Sequence, residues 1–156
     1  MRESQAELRR SVWNLRSVKL EEATLPEALQ QLGKALADTH GPNIEVHCEG
    51  EPTHVPPGVA SHLFRIAQEA VTNALKHAYA QRIEIILAFT QQTVELRVTD
   101  DGRGFDTAAA PSNGQFGVRG LRERARALGA EIRLDSQPGS GTRVRLTVPA
   151  SRLKEN

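Results

Sequence analysis

The fold is decided by a stretch in the middle of the chain, Ile83-Glu84-Ile85-Ile86-Leu87-Ala88-Phe89-Thr90-Gln91-Gln92-Thr93-Val94-Glu95-Leu96-Arg97-Val98. Its two ends, Ile83–Phe89 and Val94–Val98, are rich in β-branched and aliphatic residues, which favour extended backbone. The polar residues between these ends form a connection of hairpin length. The stretch therefore predicts two paired strands.

Helical patterns lie on both sides of this hairpin, and a second pair of strands follows it. Apolar residues recur at helical spacing in the predicted helices and alternate with polar residues in the predicted strands. Thr24-Leu25-Pro26-Glu27 is a capping box with an early proline, and His40-Gly41-Pro42 is a helix stop signal. The predicted elements besides the hairpin are helices at Ser4–Leu20, Leu25–Leu36, Gly58–Tyr79 and Val118–Leu128 and strands at Ile44–Cys48, Ile132–Leu134 and Val144–Val148.

This order of elements predicts an α+β fold, a two-layer α/β sandwich preceded by an N-terminal helical segment. Strands that pair as hairpins, with helices between the pairs, form a sheet that helices can cover. A doubly wound parallel sheet would alternate single strands with single helices, and this chain does not. We expect a helical segment over residues 1–36, the main domain over residues 37–150 and a tail over residues 151–156.

The composition is that of a globular domain without a nucleic-acid partner. Of 156 residues, 38% are hydrophobic and 25% are charged, while the net charge is only +1 and aromatic residues make up 4%. A near-neutral chain with few aromatic residues offers neither a basic surface nor a base-stacking surface. The single cysteine, Cys48, fits a reducing compartment, and no apolar stretch is long enough to span a bilayer. We therefore expect a soluble domain.

The predicted helix Gly58–Tyr79 carries a polar stripe, which taken alone is typical of a solvated helix face. Asn73 costs roughly 0.5 kcal/mol in a helix interior relative to alanine, so another role for it is worth considering. Its amide oxygen suits Mg²⁺, which takes oxygen ligands and few of them from protein. Glu69 lies one turn earlier, and Lys76 and His77 one turn later, within reach of phosphate. The stripe consists of Gln68, Glu69, Thr72, Asn73, Lys76 and His77.

A second cluster, Asp100-Asp101-Gly102-Arg103-Gly104-Phe105, directly follows the hairpin. Asp-Gly is common in simple turns, but here a long loop follows rather than a strand. A carboxylate at a strand end can accept a hydrogen bond from an exocyclic amine, such as that of adenine. The flanking glycines would let the backbone approach a ligand closely.

A third cluster of glycines surrounds the start of the helix Val118–Leu128. Gly114, Gly117 and Gly120 are placed where helix N-terminal N–H groups could bind phosphate. Such spacing occurs often by chance, so this cluster indicates little alone. Arg119, Arg122, Arg124 and Arg126 make the helix basic, which by default means a solvated face, although Arg119 or Arg122 could also face phosphate.

In this order, the clusters resemble the nucleotide-binding boxes of the GHKL ATPase superfamily, which contains gyrase, MutL and the histidine kinases. The wording of the boxes is closest to the NarX/DesK-like sensor histidine kinases of two-component systems. The resemblance is strong over Val59–Pro149 and weaker over Ser4–Leu36, which resembles the end of a dimerisation domain and its linker. The matched boxes are Gln68-Glu69-Ala70-Val71-Thr72-Asn73-Ala74-Leu75-Lys76-His77, Asp100-Asp101-Gly102-Arg103-Gly104-Phe105, Gly117-Val118-Arg119-Gly120-Leu121-Arg122-Glu123-Arg124 and Gly139-Ser140-Gly141-Thr142.

The resemblance implies a Bergerat-type ATP-binding fold, with ATP and Mg²⁺ as cofactors. Asp100 would bind the adenine amine with support from Thr142. Asn73 would be the metal ligand, and Glu69 would be its polar partner or the group that assists transfer. Residues Phe105–Phe116 would form a lid over the nucleotide. The implied nucleotide-binding residues are Asn73, Lys76, His77, Asp100, Gly102, Gly104, Phe105, Gly117, Val118, Gly120, Leu121 and Thr142.

The chain departs from the family in one respect, the phosphoacceptor histidine. None of its five histidines lies in the Glu-x-His-Asp-like helical setting of that family. We therefore expect the acceptor to lie N-terminal to Met1, on the dimerisation domain of a longer protein, and this chain alone to autophosphorylate poorly. A response regulator would be the next partner. The parent protein would be a homodimer, cytoplasmic or anchored in the inner membrane, with this domain in the cytoplasm.

Two alternatives remain open at this point. The first is a stand-alone serine kinase of the anti-sigma type, which shares the ATP-binding fold. Against it, Ser4–Leu36 resembles a kinase linker and the second glycine box is worded like that of the NarX/DesK group. The second alternative is a nucleotide-binding interaction module without transfer activity, which the missing acceptor keeps open.

Overall fold

The computed structural model describes residues 24–37, 41–104 and 116–153, without the side chains of residues 77–78 and 116–118. The predicted helix Ser4–Leu20 lies outside these residues. The elements are α1 (Leu25–Leu36), β1 (Asn43–Glu49), α2 (Pro57–Asn73), β2 (Arg82–Phe89), β3 (Thr93–Asp100), α3 (Phe116–Leu128), β4 (Glu131–Ser136), β5 (Thr142–Pro149) and a short 3-10 turn (Ala150–Arg152).

The strands form one mixed sheet in the order β1-β2-β3-β5-β4. The β2–β3 and β4–β5 pairs are antiparallel, which confirms the two predicted pairs of strands. β1 runs parallel to β2, and β5 rather than β4 lies beside β3. This order brings the end of β3 to the start of β5, so Asp100 lies opposite Thr142.

One face of the sheet is covered by helices and holds the core. Alternate residues of the strands point toward this face, as expected for a half-buried sheet. The three described helices add apolar stripes from their inner faces. The α+β two-layer fold is thereby confirmed. The fully buried large side chains include Leu29, Leu32, Leu63, Phe64, Ile66, Ile83, Ile85, Leu87, Leu96, Leu121 and Leu146.

The other face of the sheet is polar and carries ion pairs between strands. Arg97 lies 2.8 Å from Glu49 and 2.9 Å from Glu95, and Arg145 lies 3.2 Å from Glu95. Such surface pairs contribute up to about 1 kcal/mol each. Alternation of charged and apolar residues along β3 therefore fixes which face of the sheet the helices cover.

The helix α1 packs into this same core. Its N-cap is the predicted one, because the Thr24 hydroxyl accepts the Glu27 N–H at 3.3 Å. The Gln30 side chain donates to the carbonyl of Val46 at 3.1 Å, which ties the helix to β1. A helical segment was predicted over residues 1–36. Its last part, Leu25–Leu36, therefore packs on the sheet. The buried residues of this helix are Leu25, Ala28, Leu29, Leu32, Gly33 and Leu36.

α1 ends at Leu36 as predicted, because Ala37 is already extended, while the ends of two other helices differ from the prediction. α2 ends at Asn73 and continues as a π-helical turn over Ala74–Ala78. α3 begins two residues earlier than predicted, at Phe116. None of the described helices is both long enough and apolar enough to cross a membrane.

Candidate functional site

The site is centred on Asp100, the last residue of β3. Its side chain lies on the helix-covered face of the sheet and is only 9% exposed. The Gly102 N–H donates to its Oδ1 at 2.8 Å. Burial raises the pKa of Asp100, and the backbone N–H groups of Gly102 and Thr142 partly offset that rise. The structure thus holds a buried carboxylate whose acceptor atoms are oriented by backbone donors.

Two glycines let the loop after β3 pack against the loop between β4 and β5. Gly104 has φ +65°, and a Cβ there would overlap the carbonyl oxygen of Gln137. Gly141 has φ +76°, and a Cβ there would overlap the carbonyl oxygen of Asp100. Only glycine fits such positions without strain. Gly104, which was predicted to allow close approach to a ligand, packs in this structure against the backbone of Gln137.

Thr142 is held by a residue that the sequence did not indicate. The hydroxyls of Ser136 and Thr142 lie 2.9 Å apart, and the Ser136 hydroxyl donates to the Gly141 carbonyl at 3.0 Å. Ser136 is 9% exposed. An open depression of about 340 Å³ lies at this end of the sheet and is lined by Thr99, Asp100, Leu134, Asp135, Ser136, Gln137, Ser140, Gly141, Thr142 and Arg143.

The loop after β3 is also tied to the segment that follows α2. Asp101 Oδ1 accepts the N–H groups of Gln81 and Arg82 at 2.8 and 2.9 Å. These donors lower the pKa of Asp101. The guanidinium of Arg103 lies 4.8 Å from the centre of the Tyr79 ring, and Tyr79 is left-handed with φ +51°. The loop after β3 is therefore fixed to the segment that links the helix α2 to β2.

The helix α2 brings its polar residues to the same side of the sheet. Asn73 is the last α-helical residue, and the π-helical turn begins directly after it. Such wide turns are rare and are found frequently at functional sites. Asn73 is half-buried and Lys76 is exposed, while the His77 side chain is outside the described atoms. Asn73 thus lies at a change of helix geometry rather than in a helix interior.

Glu69 is held between α2 and α3. Arg124 Nε donates to its Oε1 at 2.8 Å, and about a third of each side chain is exposed. A Cβ at Gly120 would lie 3.2 Å from Glu69 Oε2. The predicted phosphate-facing Gly120 therefore also allows the close approach of α3 to Glu69.

The other predicted site residues are distributed as follows. Gly102 is buried in the loop after β3, and Leu121 is 2% exposed in the core. Gly117 and Val118 lie in the first turn of α3, while Phe105 lies outside the described residues. Leu121 is therefore a packing residue of α3.

The polar stripe predicted for α2 needs one correction. Gln68 is 5% exposed and therefore faces the interior, not solvent. Within the described part of the chain, its Nε2 is buried without a hydrogen-bond partner. Helical spacing alone placed Gln68 with Glu69 and Thr72, but adjacent residues lie about 100° apart around a helix, so Gln68 falls on the buried side of that stripe.

The oxygen donors of α2 fit a magnesium site in type and spacing. Glu69 and Asn73 are four residues apart, so a carboxylate and an amide oxygen share one helix face. Few protein ligands and several waters or phosphate oxygens are the usual coordination of Mg²⁺. This donor set is compatible with a metal bound mainly by phosphate.

A second group of metal-ligand types lies on the opposite face of the sheet. Ligand atoms of Glu45, His47 and Glu84 lie within 4.8 Å of one another. Arg82 donates through Nε to Glu45 at 2.9 Å and lies 3.7 Å from Glu84. The guanidinium pairs with both carboxylates, so the group is an ion-pair cluster.

Comparison with known protein families matches most of this chain to one family. The sequence pattern described as "Histidine kinase-, DNA gyrase B-, and HSP90-like ATPase" matches residues 58–152. This range includes α2, the sheet from β2 onward and α3, and hence every element of the site described above.

The chain is also similar in sequence to sensor proteins of staphylococci. The chain is 33% identical over 156 residues to the sensor protein VraS of Staphylococcus haemolyticus. The matched region covers 100% of this chain and 44% of that protein. The chain is also 33% identical over 152 residues to VraS of Staphylococcus aureus (strain COL), covering 97% of this chain and 43% of the relative. The chain thus spans less than half the length of these relatives.

Two solved structures share the fold. The histidine kinase domain of a blue-light activated histidine kinase from Erythrobacter litoralis has a TM-score of 0.65 and 24% identity, with 83% of this chain and 64% of that chain covered. The ATP-binding domain of PrrB from Mycobacterium tuberculosis has a TM-score of 0.59 and 22% identity, with 80% and 93% covered.

Proposed function

The chain belongs to the histidine kinase-, DNA gyrase B- and HSP90-like ATPase family, and we propose that it is the ATP-binding catalytic domain of a two-component sensor histidine kinase. The observation that carries this proposal is the buried Asp100 carboxylate, held by Gly102 and facing Thr142 at the centre of the sheet. The likeness to the VraS sensor proteins over the whole chain supports the histidine kinase branch of the family.

Asp100 recognises adenine in this proposal. A buried carboxylate that is already oriented by backbone N–H groups accepts a hydrogen bond from the exocyclic amine without reorganisation. Guanine carries a carbonyl at the corresponding position, which would face the carboxylate as a second acceptor. Thr142 and Ser136 support this end of the pocket through their shared hydroxyl contact.

The helix α2 acts at the triphosphate. Asn73 would hold Mg²⁺ through its amide oxygen, and Glu69 would contact the hydrated metal or orient the acceptor. When bound, Mg²⁺ neutralises the charge that develops on the phosphate oxygens. Lys76 and His77 on the following turn, and the backbone of Gly102, Gly104, Gly117 and Gly120, complete the nucleotide contacts. The lid that the resemblance implies over Phe105–Phe116 would cover the nucleotide, and its residues 105–115 lie outside the described part of the chain.

The reaction is phosphoryl transfer to a histidine on a dimerisation domain. The imidazole nitrogen forms a bond to the γ-phosphorus, the bond from that phosphorus to the β–γ bridging oxygen breaks, ADP leaves, and the imidazole releases one proton. Catalysis then consists of positioning and charge stabilisation by the site. None of the five histidines of this chain is proposed as the acceptor.

The partners follow from this reaction. A dimerisation domain of the same parent protein supplies the acceptor histidine and makes the parent a homodimer. A response regulator then receives the phosphoryl group. The domain works in the cytoplasm, where ATP is available, whether or not the parent protein is anchored in a membrane.

Transfer of labelled phosphate tests this function. The chain is incubated with ATP labelled at the γ-phosphate, Mg²⁺ and a separately produced histidine-bearing dimerisation domain. We expect label on that domain which is lost in acid and stable in base, because a phosphoramidate hydrolyses in acid. Label that survives acid would indicate a serine kinase instead. Nucleotide binding without any transfer would leave the interaction module as the function.

A further inference from the structure

The position of the Glu69 carboxylate depends on a residue of a different helix. Glu69 lies on α2, and its Oε1 accepts a hydrogen bond of 2.8 Å from Arg124 Nε on α3. We infer that Arg124 is a positioning residue, which orients Glu69 for its work at the metal-bound phosphates. This inference rests on the proposed function, and it concerns a residue to which the resemblance assigned no role.

The helix α3 is itself firmly placed, so Arg124 is a fixed support. Leu121, Ala125 and Leu128 are 2%, 1% and 6% exposed and recur at helical spacing on the core side. Gly120 and Arg124 each precede one of these core residues by a single position. They therefore lie along one edge of the buried stripe, and their contacts with Glu69 show that this edge borders α2.

The two contacts of the carboxylate define its orientation. Arg124 holds Oε1, while Oε2 lies 3.2 Å from the position that a Cβ at Gly120 would take. Gly120 belongs to the second turn of α3, near the helix end where backbone N–H groups favour phosphate. The second oxygen thus lies against Gly120, one of the glycines assigned to the triphosphate.

The partial burial of the pair makes this orientation effective. Arg124 is 32% and Glu69 31% exposed, so the bond is partly shielded from water. A charge-assisted bond in that setting fixes the side chain better than an exposed pair would. For comparison, the Arg119–Glu123 pair on the same helix is 3.4 Å long and 84% and 65% exposed.

An ion pair that served only helix packing would affect stability and leave metal-dependent binding unchanged. The discriminating quantity is therefore the magnesium increment, which we define as the Kd of ATP in EDTA divided by the Kd of ATP in excess Mg²⁺. Calorimetry measures it for the whole chain, for Glu69→Gln, Arg124→Gln, Arg124→Lys and the double variant Glu69→Gln/Arg124→Gln. Arg126→Gln is the matched control, because Arg126 is an exposed arginine of the same helix.

The expected results are specific. Glu69→Gln and Arg124→Gln each reduce the magnesium increment by about tenfold, as loss of a group that orients a metal-site residue does. The double variant falls no further, because both changes remove the same orientation. Arg124→Lys recovers part of the increment, and Arg126→Gln behaves as the wild type. The Kd of metal-free ATP stays unchanged throughout, which shows that the adenine site is intact.

Other outcomes would overturn the inference. If Arg124→Gln matches Arg126→Gln while Glu69→Gln loses the increment, Arg124 does not position Glu69 and the proposed function still stands. If the wild type does not bind ATP, the proposed function fails together with the inference. If Arg124→Gln does not fold, Arg124→Lys decides, and an increment equal to that of the wild type in either Arg124→Lys or Glu69→Gln contradicts the inference.

Discussion

Asp100 and Asp101 are adjacent in the chain, yet their carboxylates are held by different parts of the molecule. Asp100 is buried beneath the helices and accepts the Gly102 N–H, while Asp101 is exposed and accepts the N–H groups of Gln81 and Arg82. Burial raises the pKa of the first, and backbone donors lower the pKa of the second. One residue is thus available for a ligand, and its neighbour fastens the loop.

Asp101→Ala should lower the free energy of unfolding by roughly 1 kcal/mol at pH 7, because two backbone N–H groups lose their acceptor. Since the folded-state pKa of Asp101 is lowered, its contribution is present above the usual aspartate pKa of 3.8 and is lost as the pH falls through the folded-state pKa. Denaturant titrations at pH 7 and pH 3 should show the difference shrinking at the lower pH. Asp135→Ala, which removes an exposed carboxylate of β4, is the control and should show a smaller effect at pH 7.

Asp100→Asn should show the opposite dependence on pH. A raised folded-state pKa means that the stabilising contribution of Asp100 is complete below 3.8 and is lost as the pH rises through the folded-state pKa. Asparagine stays neutral, so the stability of the variant relative to the wild type should improve between pH 4 and pH 7. Thermal unfolding at several pH values measures this. If the stability of Asp100→Asn relative to the wild type instead decreases as the pH rises, the Asp100 charge stabilises the fold.

Gly141→Ala should destabilise the protein by about 3 kcal/mol or more, because the new Cβ overlaps the Asp100 carbonyl oxygen and the backbone must move. Gly139→Ala is the matched control in the same loop. Gly139 also has a positive φ, +85°, but a Cβ there meets nothing within 4 Å. Its cost should be only the left-handed strain of about 1 kcal/mol. Equal losses in the two variants, measured by denaturant unfolding, would argue against tight packing of the two loops.

Gly120→Ala should separate stability from catalysis. Alanine favours the helix by up to about 1 kcal/mol, but its Cβ would lie 3.2 Å from Glu69 Oε2 and would push the carboxylate aside. We expect unchanged or higher stability together with phosphoryl transfer reduced by about tenfold or more. Gly58→Ala, at a helical position with nothing within 4 Å of the new Cβ, should leave transfer unchanged. Full transfer by Gly120→Ala would show that this orientation of Glu69 is not required.

Much of the fold could be predicted from sequence because it depends on local patterns. Alternating apolar residues located β2 and β3, and Thr24 with Glu27 located the start of α1. The parallel pairing of β1 with β2 could not be predicted in this way, because it depends on contacts between distant parts of the chain. The π-helical turn after Asn73 was missed because the residues of Ala74–Ala78 follow an ordinary helical pattern.

The site could be predicted in part, because glycines and acidic residues beside strand and helix ends are visible in a sequence. Asp100 and Thr142 lie opposite each other, as their proposed cooperation requires. Ser136 was not found, and Arg124 was placed only on a basic helix face, because a serine in a strand and an arginine in a basic helix look like ordinary surface residues. Only the pairing of β4 with β5 and the packing of α3 on α2 bring them to Thr142 and Glu69.

Calorimetric titration of ATP with Mg²⁺ tests most directly whether this domain binds ATP through Asp100. The wild type should bind, and Asp100→Asn, whose amide offers a single acceptor atom and adds a donor, should bind about 10- to 100-fold more weakly, as expected for loss of a hydrogen bond to a charged group. Equal affinities in the two proteins, or no binding by the wild type, would contradict the account.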